Sequence, residues 1–213
     1  MPQTTDTDQQ SQHARRRGLK YIALTALASL ALFAAASQLD RASAQMAASG
    51  GAQFDEANQT SIPEGFREWV FIGAPLTPNG LNGGAAGFPE YHHVYIEPGA
   101  YAEYKRTGEF PEGTTIVKEL VLLKEAHYED GSRDEASGRG FFGDRFAGID
   151  IMVKDSKRFA ETGGWGFFNF GHHAPPYAEI AAPAPSEACA ACHAANATYD
   201  MVFTTFYPIL ERR

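Results

Sequence analysis

The most constraining feature of this chain is the position of its cysteines. The 213 residues contain only two of them, and both stand in the short run Cys189-Ala190-Ala191-Cys192-His193. Two cysteines are too few for a disulfide-rich scaffold or for a four-cysteine zinc site. Their concentration at one place therefore indicates a local chemical role and not a link between distant segments.

The spacing of these residues is that of the C-x-x-C-H signature for c-type haem attachment. Positions i, i+3 and i+4 of a helix share a face, so we expect Cys189, Cys192 and His193 to point the same way. The two thiols would form thioethers with the haem vinyl groups, and His193 would be the axial ligand of the iron. Ser186 is the expected N-cap of this helix.

Two other interpretations of the cysteine pair stay open. A disulfide of thioredoxin type would open a helix after a βαβ strand, whereas here the Pro/Ala-rich residues 181–185 come first. A metal pair would need a second Cys/His cluster with zinc spacing, which the sequence does not contain. We therefore expect haem c, bound covalently, with one haem per chain.

The N-terminal segment has the parts of a secretory signal peptide. Residues 15–20 contain four Arg and Lys, residues 22–36 are apolar, and residues 42–44 form an A-x-A site. The apolar run is shorter than the roughly 20 residues of a membrane span, although an N-terminal membrane anchor is the alternative. We predict a signal peptide over residues 1–44 and a periplasmic location for the folded part, since c-type haem is attached outside the cytoplasm.

The charge balance excludes one class of partner. The formal net charge is −8, and without residues 1–44 it would be −10. A nucleic-acid binder needs an excess of Lys and Arg to neutralise phosphates, so no nucleic-acid partner is expected. An acidic surface would instead favour a basic redox partner.

The pattern along residues 64–213 predicts one β-rich α+β domain with a mainly antiparallel sheet, short helices and a C-terminal haem-attachment helix. Residues 45–63 are small and polar, which predicts a flexible leader. The expected strands are residues 64–73, 91–97, 114–124, 148–153 and 165–170, with a helix at 98–107 and irregular loops at 75–89 and 129–140.

Alternation along residues 114–124 puts two charged residues on opposite faces of a strand. Lys118 shares a face with Ile116 and Leu120, and Glu119 lies on the other face. Both faces are otherwise apolar, so the strand is expected to be central and its charges to need partners. Glu119 is expected to form a structural ion pair. Burial favours the neutral, nucleophilic form of a lysine amine, while a lysine that reaches the surface is the alternative for Lys118.

Four stretches of the chain resemble the cytochrome P460 family, and together they span roughly residues 64–210. They are residues 66–84, 88–110, 113–123 and 189–210, the last being CAACHAANATYDMVFTTFYPIL. The resemblance implies a homodimer with a five-coordinate haem c that oxidises hydroxylamine or binds small nitrogen species such as nitric oxide. It also implies a third covalent tie, from Lys118 to the porphyrin edge. The related β-type cytochromes c′ lack this tie and bind gases.

The resemblance also singles out Asp150. In the family pattern, the position after Gly148-Ile149 can hold a glutamate that accepts protons from hydroxylamine at the open iron position. This chain has an aspartate there, one methylene shorter, so the carboxylate is kept and its reach is reduced. A solvated aspartate at a loop edge is the alternative.

Other aromatic, histidine and methionine residues are candidates for the haem pocket. Several of the phenylalanines are expected to wall the haem: Phe141, Phe142, Phe146, Phe167, Phe168 and Phe170. The remaining histidines near the domain core could ligate iron, but such residues are more often structural: His92, His93, His127, His172 and His173. Met152 is the only methionine placed for an axial role.

These observations predict a periplasmic mono-haem enzyme that oxidises hydroxylamine and passes the electrons to a small periplasmic cytochrome. His193 would hold the iron, Lys118 would tune the haem, and Asp150 would take protons. The alternative is a protein that binds nitric oxide or another small gas without turnover. A plain electron carrier would need a second axial ligand, which the family pattern does not have.

Overall fold

The structure is a computed structural model that describes residues 51–211, and its main feature is a five-stranded antiparallel sheet. The strands in chain order are β1 (Thr60–Ser61), β2 (Val70–Gly73), β3 (Tyr91–Ile96), β4 (Thr115–Leu123), β5 (Arg133–Glu135), β6 (Gly138–Gly140), β7 (Gly143–Lys154), β8 (Trp165–Asn169) and β9 (Ile180–Ala181). The large sheet has the order β2-β3-β4-β7-β8, while β1 pairs with β9 and β5 with β6. The α-helices are α1 (Pro98–Thr107) and α2 (Ala190–Asn196). The predicted β-rich α+β class is confirmed.

Helix α1 has the bounds that its terminal residues predict. The carboxylate of Glu97 accepts hydrogen bonds from the backbone N–H groups of Gly99 (2.9 Å) and Ala100 (2.7 Å), and Pro98 occupies the first turn. The helix ends at Gly108, whose φ of +79° is the left-handed conformation that glycine adopts without strain. The helix holds the C-terminal segment, because the Tyr104 hydroxyl donates to the Leu210 carbonyl (3.0 Å).

Two predicted segments differ from the structure. The strand expected over residues 64–73 begins only at Val70, because Phe66–Glu68 forms a 3-10 turn after the left-handed Gly65. The loop expected over residues 129–140 contains the hairpin of β5 and β6. Side-chain hydrogen bonds stabilise this hairpin in place of apolar alternation: Arg139 donates to Asp130 and to Ser132, each at 2.7 Å.

The segment predicted as a flexible leader has defined contacts from residue 51 onward. Strand β1 pairs with β9, and the Phe54 ring packs against Phe159 (5.5 Å between ring centroids) and Phe168 (5.8 Å). The polar composition of residues 45–63 did not predict these contacts, because a few apolar side chains are enough to anchor such a segment. The predicted signal peptide lies outside the described residues. Within residues 51–211, no helix is long and apolar enough to cross a membrane.

The two faces of the large sheet bury different parts of the chain. One face packs against α1 and the C-terminal segment, and we call it the C-terminal face; its buried residues include Val94, Ile96, Ile116, Met152, Trp165, Phe167, Val202 and Leu210. The opposite face packs against the N-terminal segment, with Phe66, Val117, Ile149, Ile151, Phe159 and Phe168 among its buried residues. Strand β4 is buried on both faces, as its two-sided apolar pattern predicts.

Glu119 is the buried charge of the face opposite to Lys118, and it has the ion-pair partner expected for it. Its side chain is fully buried, and the guanidinium of Arg67 binds both carboxylate oxygens, with an Nε–Oε2 distance of 3.2 Å. Arg67 itself is half exposed. The pair therefore lets a charged residue occupy the central strand.

We predict that Arg67→Ala destabilises the protein by about 2 kcal/mol, because it leaves a buried carboxylate without its donor. The exposed pair of Arg106 and Glu103 provides the control, and Arg106→Ala should change the free energy of unfolding much less than Arg67→Ala does. Denaturant unfolding of the two variants measures both values. Equal effects would contradict a structural role for the buried pair.

Candidate haem site

The C-x-x-C-H residues lie on the first turn of α2. Cys189 is the N-cap residue, and the His193 N–H donates to its carbonyl (3.1 Å), which places the two residues one turn apart. Both cysteines are free thiols; Cys189 is half-buried and Cys192 is exposed. Ser186 is not the N-cap as predicted, since its hydroxyl donates to the neighbouring Glu187 carboxylate and the helix begins four residues later.

The His193 ring is held between two aromatic rings and one backbone carbonyl. Its centroid lies 4.7 Å from that of Phe167 and 4.8 Å from that of Phe203. Burial lowers the pKa of His193, so the ring is neutral at pH 7. Its Nδ1 lies 2.6 Å from the Met201 carbonyl, which can only accept, so we assign the proton to Nδ1 and the lone pair to Nε2.

These residues fit a c-type haem. A neutral imidazole with its Nδ1–H on a carbonyl is the usual state of a metal-bound histidine, and it leaves Nε2 free for iron. Two unpaired thiols lie on the same helical turn as that imidazole, as attachment to the two vinyl groups of one porphyrin requires. Apolar packing around His193 supplies the dry environment that a haem needs.

Lys118 and Asp150 are neighbours on the C-terminal face of the sheet. Strands β4 and β7 pair in a register that sets Lys118 opposite Asp150 and Ile116 opposite Met152. The Lys118 Nζ lies 2.8 Å from Asp150 Oδ2, and the two side chains are 25% and 22% exposed. Asp150 is thus a residue within the sheet and not the solvated loop-edge aspartate of the alternative. Lys118 likewise does not reach into open solvent.

Asp150 has two further partners from the chain that follows β7. The Asn169 side-chain amide donates to Oδ1 (2.6 Å), and His172 Nε2 lies 3.0 Å from each carboxylate oxygen. Gly148 makes room for this imidazole, because a Cβ there would stand 3.1 Å from His172 Cδ2. Burial alone would raise the pKa of Asp150, but the His172 hydrogen bond and the Lys118 charge lower it well below its usual range.

Phe88 completes the surroundings of Lys118. The Lys118 Nζ lies 3.8 Å from the centroid of the Phe88 ring, and this ring also makes edge contacts with His92 and His172, each at 5.6 Å. Burial and the nearby Lys118 lower the pKa of His92 to about 4, so His92 is neutral at pH 7. The groups that lower the pKa of Asp150 are therefore His172 and Lys118.

The site contains residues that sequence reasoning missed or placed elsewhere. Phe88 lies in a loop without periodicity, Asn169 stood out only as part of an expected strand, and His172 was considered only as an alternative iron ligand. Of the six phenylalanines proposed to wall the haem, Phe167 contacts His193, while Phe168 and Phe170 are buried on the opposite face. Met152 is buried in the C-terminal-face core.

Comparison with known proteins decides the family. The Cytochrome P460 family model matches residues 63–204 of the chain. The chain belongs to the cytochrome P460 family. No curated protein gave a significant match. Membership makes the chain a haem protein of a generally oxidoreductase family, in agreement with the donor set around His193.

The alternative interpretations of the cysteine pair find no support in the described part of the chain. All named strand pairs there are antiparallel, so the βαβ unit of a thioredoxin-type site is absent from residues 51–211. In the same residues, no group of three or more His, Cys, Asp and Glu side chains is placed to hold a metal ion. Haem attachment through the two thiols therefore stays a prediction.

The Asp150–His172 contact predicts a pH-dependent contribution to stability. The Asp150 hydrogen bond raises the pKa of His172 above its usual value near 6.5. A raised pKa stabilises the fold fully below the unfolded-state value and ceases to do so as the pH rises through the folded-state value. We expect His172→Gln to lower Tm most near pH 5.5, with the difference shrinking at alkaline pH.

Thermal unfolding of the wild type and His172→Gln over pH 5.5–9 measures this effect. The matched control is His173→Gln, because His173 Nδ1 contacts only the adjacent Ala174 carbonyl among the hydrogen bonds of this site. A Tm difference for His172→Gln that does not vary with pH would show that the contact with Asp150 is not ionic.

Proposed function

We propose that this protein is a periplasmic mono-haem cytochrome that oxidises hydroxylamine. One haem c is attached through Cys189 and Cys192, and His193 is its axial iron ligand. The observation on which the proposal depends is that Lys118 and Asp150 lie together on the sheet face that packs against the haem-attachment segment. The charges of both also act on the pKa of His193 and of Cys189, which supports a single site formed by the four residues.

When bound, the haem would supply an iron with an open position. Hydroxylamine would bind at that position and give up its electrons to the iron. Asp150 is the group that accepts protons from the bound substrate. Its low pKa keeps it ionised, and a carboxylate has about four lone-pair positions for hydrogen bonds. Lys118 and Asn169 each occupy one of them and His172 lies at both oxygens, so an N–H or O–H group of the substrate would replace one of these contacts.

His172 connects Asp150 to solvent. Its Nε2 faces the carboxylate, and the side chain is 43% exposed. When the imidazole is neutral and carries its proton on Nδ1, its Nε2 can accept the proton that Asp150 received, and the Nδ1 proton then leaves to water. Asn169 donates to Oδ1 and fixes the carboxylate rotamer. This arrangement gives the aspartate a proton exit to solvent.

Lys118 is the residue that we propose to form the third tie to the porphyrin, by a two-electron oxidation in which an Nζ–C bond replaces one N–H and one C–H bond and an external oxidant such as a peroxide takes up the electrons. A lysine must lose its proton before it can act as a nucleophile, and the Asp150 carboxylate, 2.8 Å away, is an acceptor for that proton. Once this bond has formed, Lys118 Nζ is no longer a free ammonium group next to Asp150. The pKa of Asp150 then rises toward its usual range, which makes the carboxylate a stronger base.

The remaining elements of the proposal concern location and partners. The signal peptide over residues 1–44 would direct the chain to the periplasm, and a small basic cytochrome would accept the electrons from the acidic surface. We also propose a homodimer, in keeping with the family resemblance. The exposed rings of Phe71 and Phe146 on the opposite face offer an apolar surface for such contact.

Binding of nitric oxide or another small gas without turnover is the second candidate function. The observation that favours it is the engagement of Asp150 by three donors, which weakens the carboxylate as a base. The aspartate in place of the family's glutamate favours it also. The two functions share the haem and differ in whether Asp150 takes part in proton transfer.

Hydroxylamine-dependent reduction of an artificial electron acceptor tests the proposal. We expect Asp150→Asn to lower the turnover rate by about 100-fold or more, in the usual range for loss of a general base. Asp150→Glu should restore or raise the rate, because the longer side chain recovers reach. Asp144→Asn is the matched control, since Asp144 is on the same strand and pairs with the exposed Arg145.

The outcomes separate the two functions. Turnover by the wild type that depends on Asp150 and not on Asp144 supports hydroxylamine oxidation. A wild type that binds nitric oxide and shows no turnover supports the gas-binding function. Wild-type turnover in Asp150→Asn would contradict the role given to Asp150.

A further inference from the structure

The turn after α2 has an unusual backbone. Tyr199 and Val202 form an isolated antiparallel bridge, and the two residues between them have positive φ values: +45° at Asp200 and +62° at Met201. Such turns favour Asn and Gly, because a side chain is crowded in the left-handed region. Neither position is glycine here, so the surrounding structure must hold the turn in place.

Asp200 is bound on both carboxylate oxygens. Lys154 Nζ lies 2.6 Å from Oδ2, and the Trp165 indole N–H donates to Oδ1 (3.1 Å). Lys154 and Trp165 are direct register partners on β7 and β8, so the sheet aims both donors at one point. Lys154 also donates to the Phe110 carbonyl (2.9 Å), and Trp165 is fully buried. Both donors are therefore held in position by contacts that do not involve the turn.

The turn presents one backbone group to the haem site. The Met201 carbonyl stands 2.6 Å from His193 Nδ1. The Met201 side chain packs against Gly163, where a Cβ would come within 3.1 Å of Met201 Cγ and Sδ. The carbonyl is thus positioned from both sides, by the carboxylate of its neighbour and by the packing of its own side chain.

We propose that Asp200, Lys154 and Trp165 form a clamp that holds the Met201 carbonyl on His193 and so sets how strongly His193 donates to the iron. The hydrogen bond from Nδ1–H to a carbonyl makes the imidazole a better electron donor at Nε2. Hydrogen bonding of an axial ligand is one of the means by which a protein sets a haem potential. These three are positioning residues, because they act on the ligand through the Met201 backbone.

The inference rests on the part of the proposed function that makes His193 the axial ligand, and it does not depend on hydroxylamine oxidation. Weakening of the clamp should loosen the Nδ1 hydrogen bond. The iron–histidine bond would then weaken, and the ferric state would lose part of its stabilisation. Two readouts follow that do not involve turnover: a downward shift of the iron–histidine stretching frequency and an upward shift of the midpoint potential.

Resonance Raman spectra and redox titrations of the haem-loaded protein test the clamp. We expect both shifts in Asp200→Ala and Lys154→Met. Smaller shifts are expected in Asp200→Asn, which keeps an acceptor for Trp165 and tolerates positive φ. The matched controls are Asp144→Asn, at an exposed position of β7, and Lys157→Met, at an exposed position three residues after β7, and both should retain the wild-type values.

Each outcome has a defined meaning. Asp200→Ala or Lys154→Met with wild-type frequency and potential would overturn the clamp. If Asp200→Ala fails to fold, Lys154→Met and Asp200→Asn decide the question, since both keep the turn residue or its acceptor. A wild type without an iron–histidine mode would refute His193 as the ligand. A wild type that shows the mode but does not oxidise hydroxylamine would refute only the enzymatic function.

Discussion

The register of β4 against β7 is the constraint on which the site depends. It sets Lys118 beside Asp150 in one row of the sheet and Ile116 beside Met152 in the next. The first row is polar and holds the proposed proton acceptor, while the second is apolar and supports the helix that holds the haem. A shift of one residue would send Glu119 to this face and Lys118 to the other. The buried pair of Glu119 and Arg67 opposes such a shift.

The proximal side of the site is built from a different part of the chain. Helix α2 places Cys189, Cys192 and His193 on one turn, and the strained turn at Asp200 and Met201 returns a carbonyl to the imidazole. Lys154 and Trp165 link this turn to β7 and β8, the strands that also present Asp150 and Asn169. The proposed proton acceptor and the proposed axial ligand are therefore connected through the same two strands.

Local patterns in the sequence were sufficient for part of this account. The alternation of side chains along β4 placed Lys118 and Glu119 on opposite faces of the sheet, and Pro98 and Gly108 marked the ends of α1. Both features could be predicted because their signals depend only on neighbouring residues. The C-x-x-C-H spacing likewise predicted that Cys189, Cys192 and His193 share one helical turn. The partners of Asp150 could not be predicted, since Asn169 and His172 reach it only through strand pairing. The hairpin at residues 133–140 depends on Arg139 contacts, and the turn at Asp200 on a lysine 46 residues away.

The most direct test of the account is mass analysis of the protein after denaturation and proteolysis. The central claim is that one haem is tied to three residues, Cys189 and Cys192 of α2 and Lys118 of β4. The account predicts one haem-containing product that joins the peptide with Cys189 and Cys192 to the peptide with Lys118. Recovery of both peptides unmodified, with the haem extracted into solvent, would contradict it.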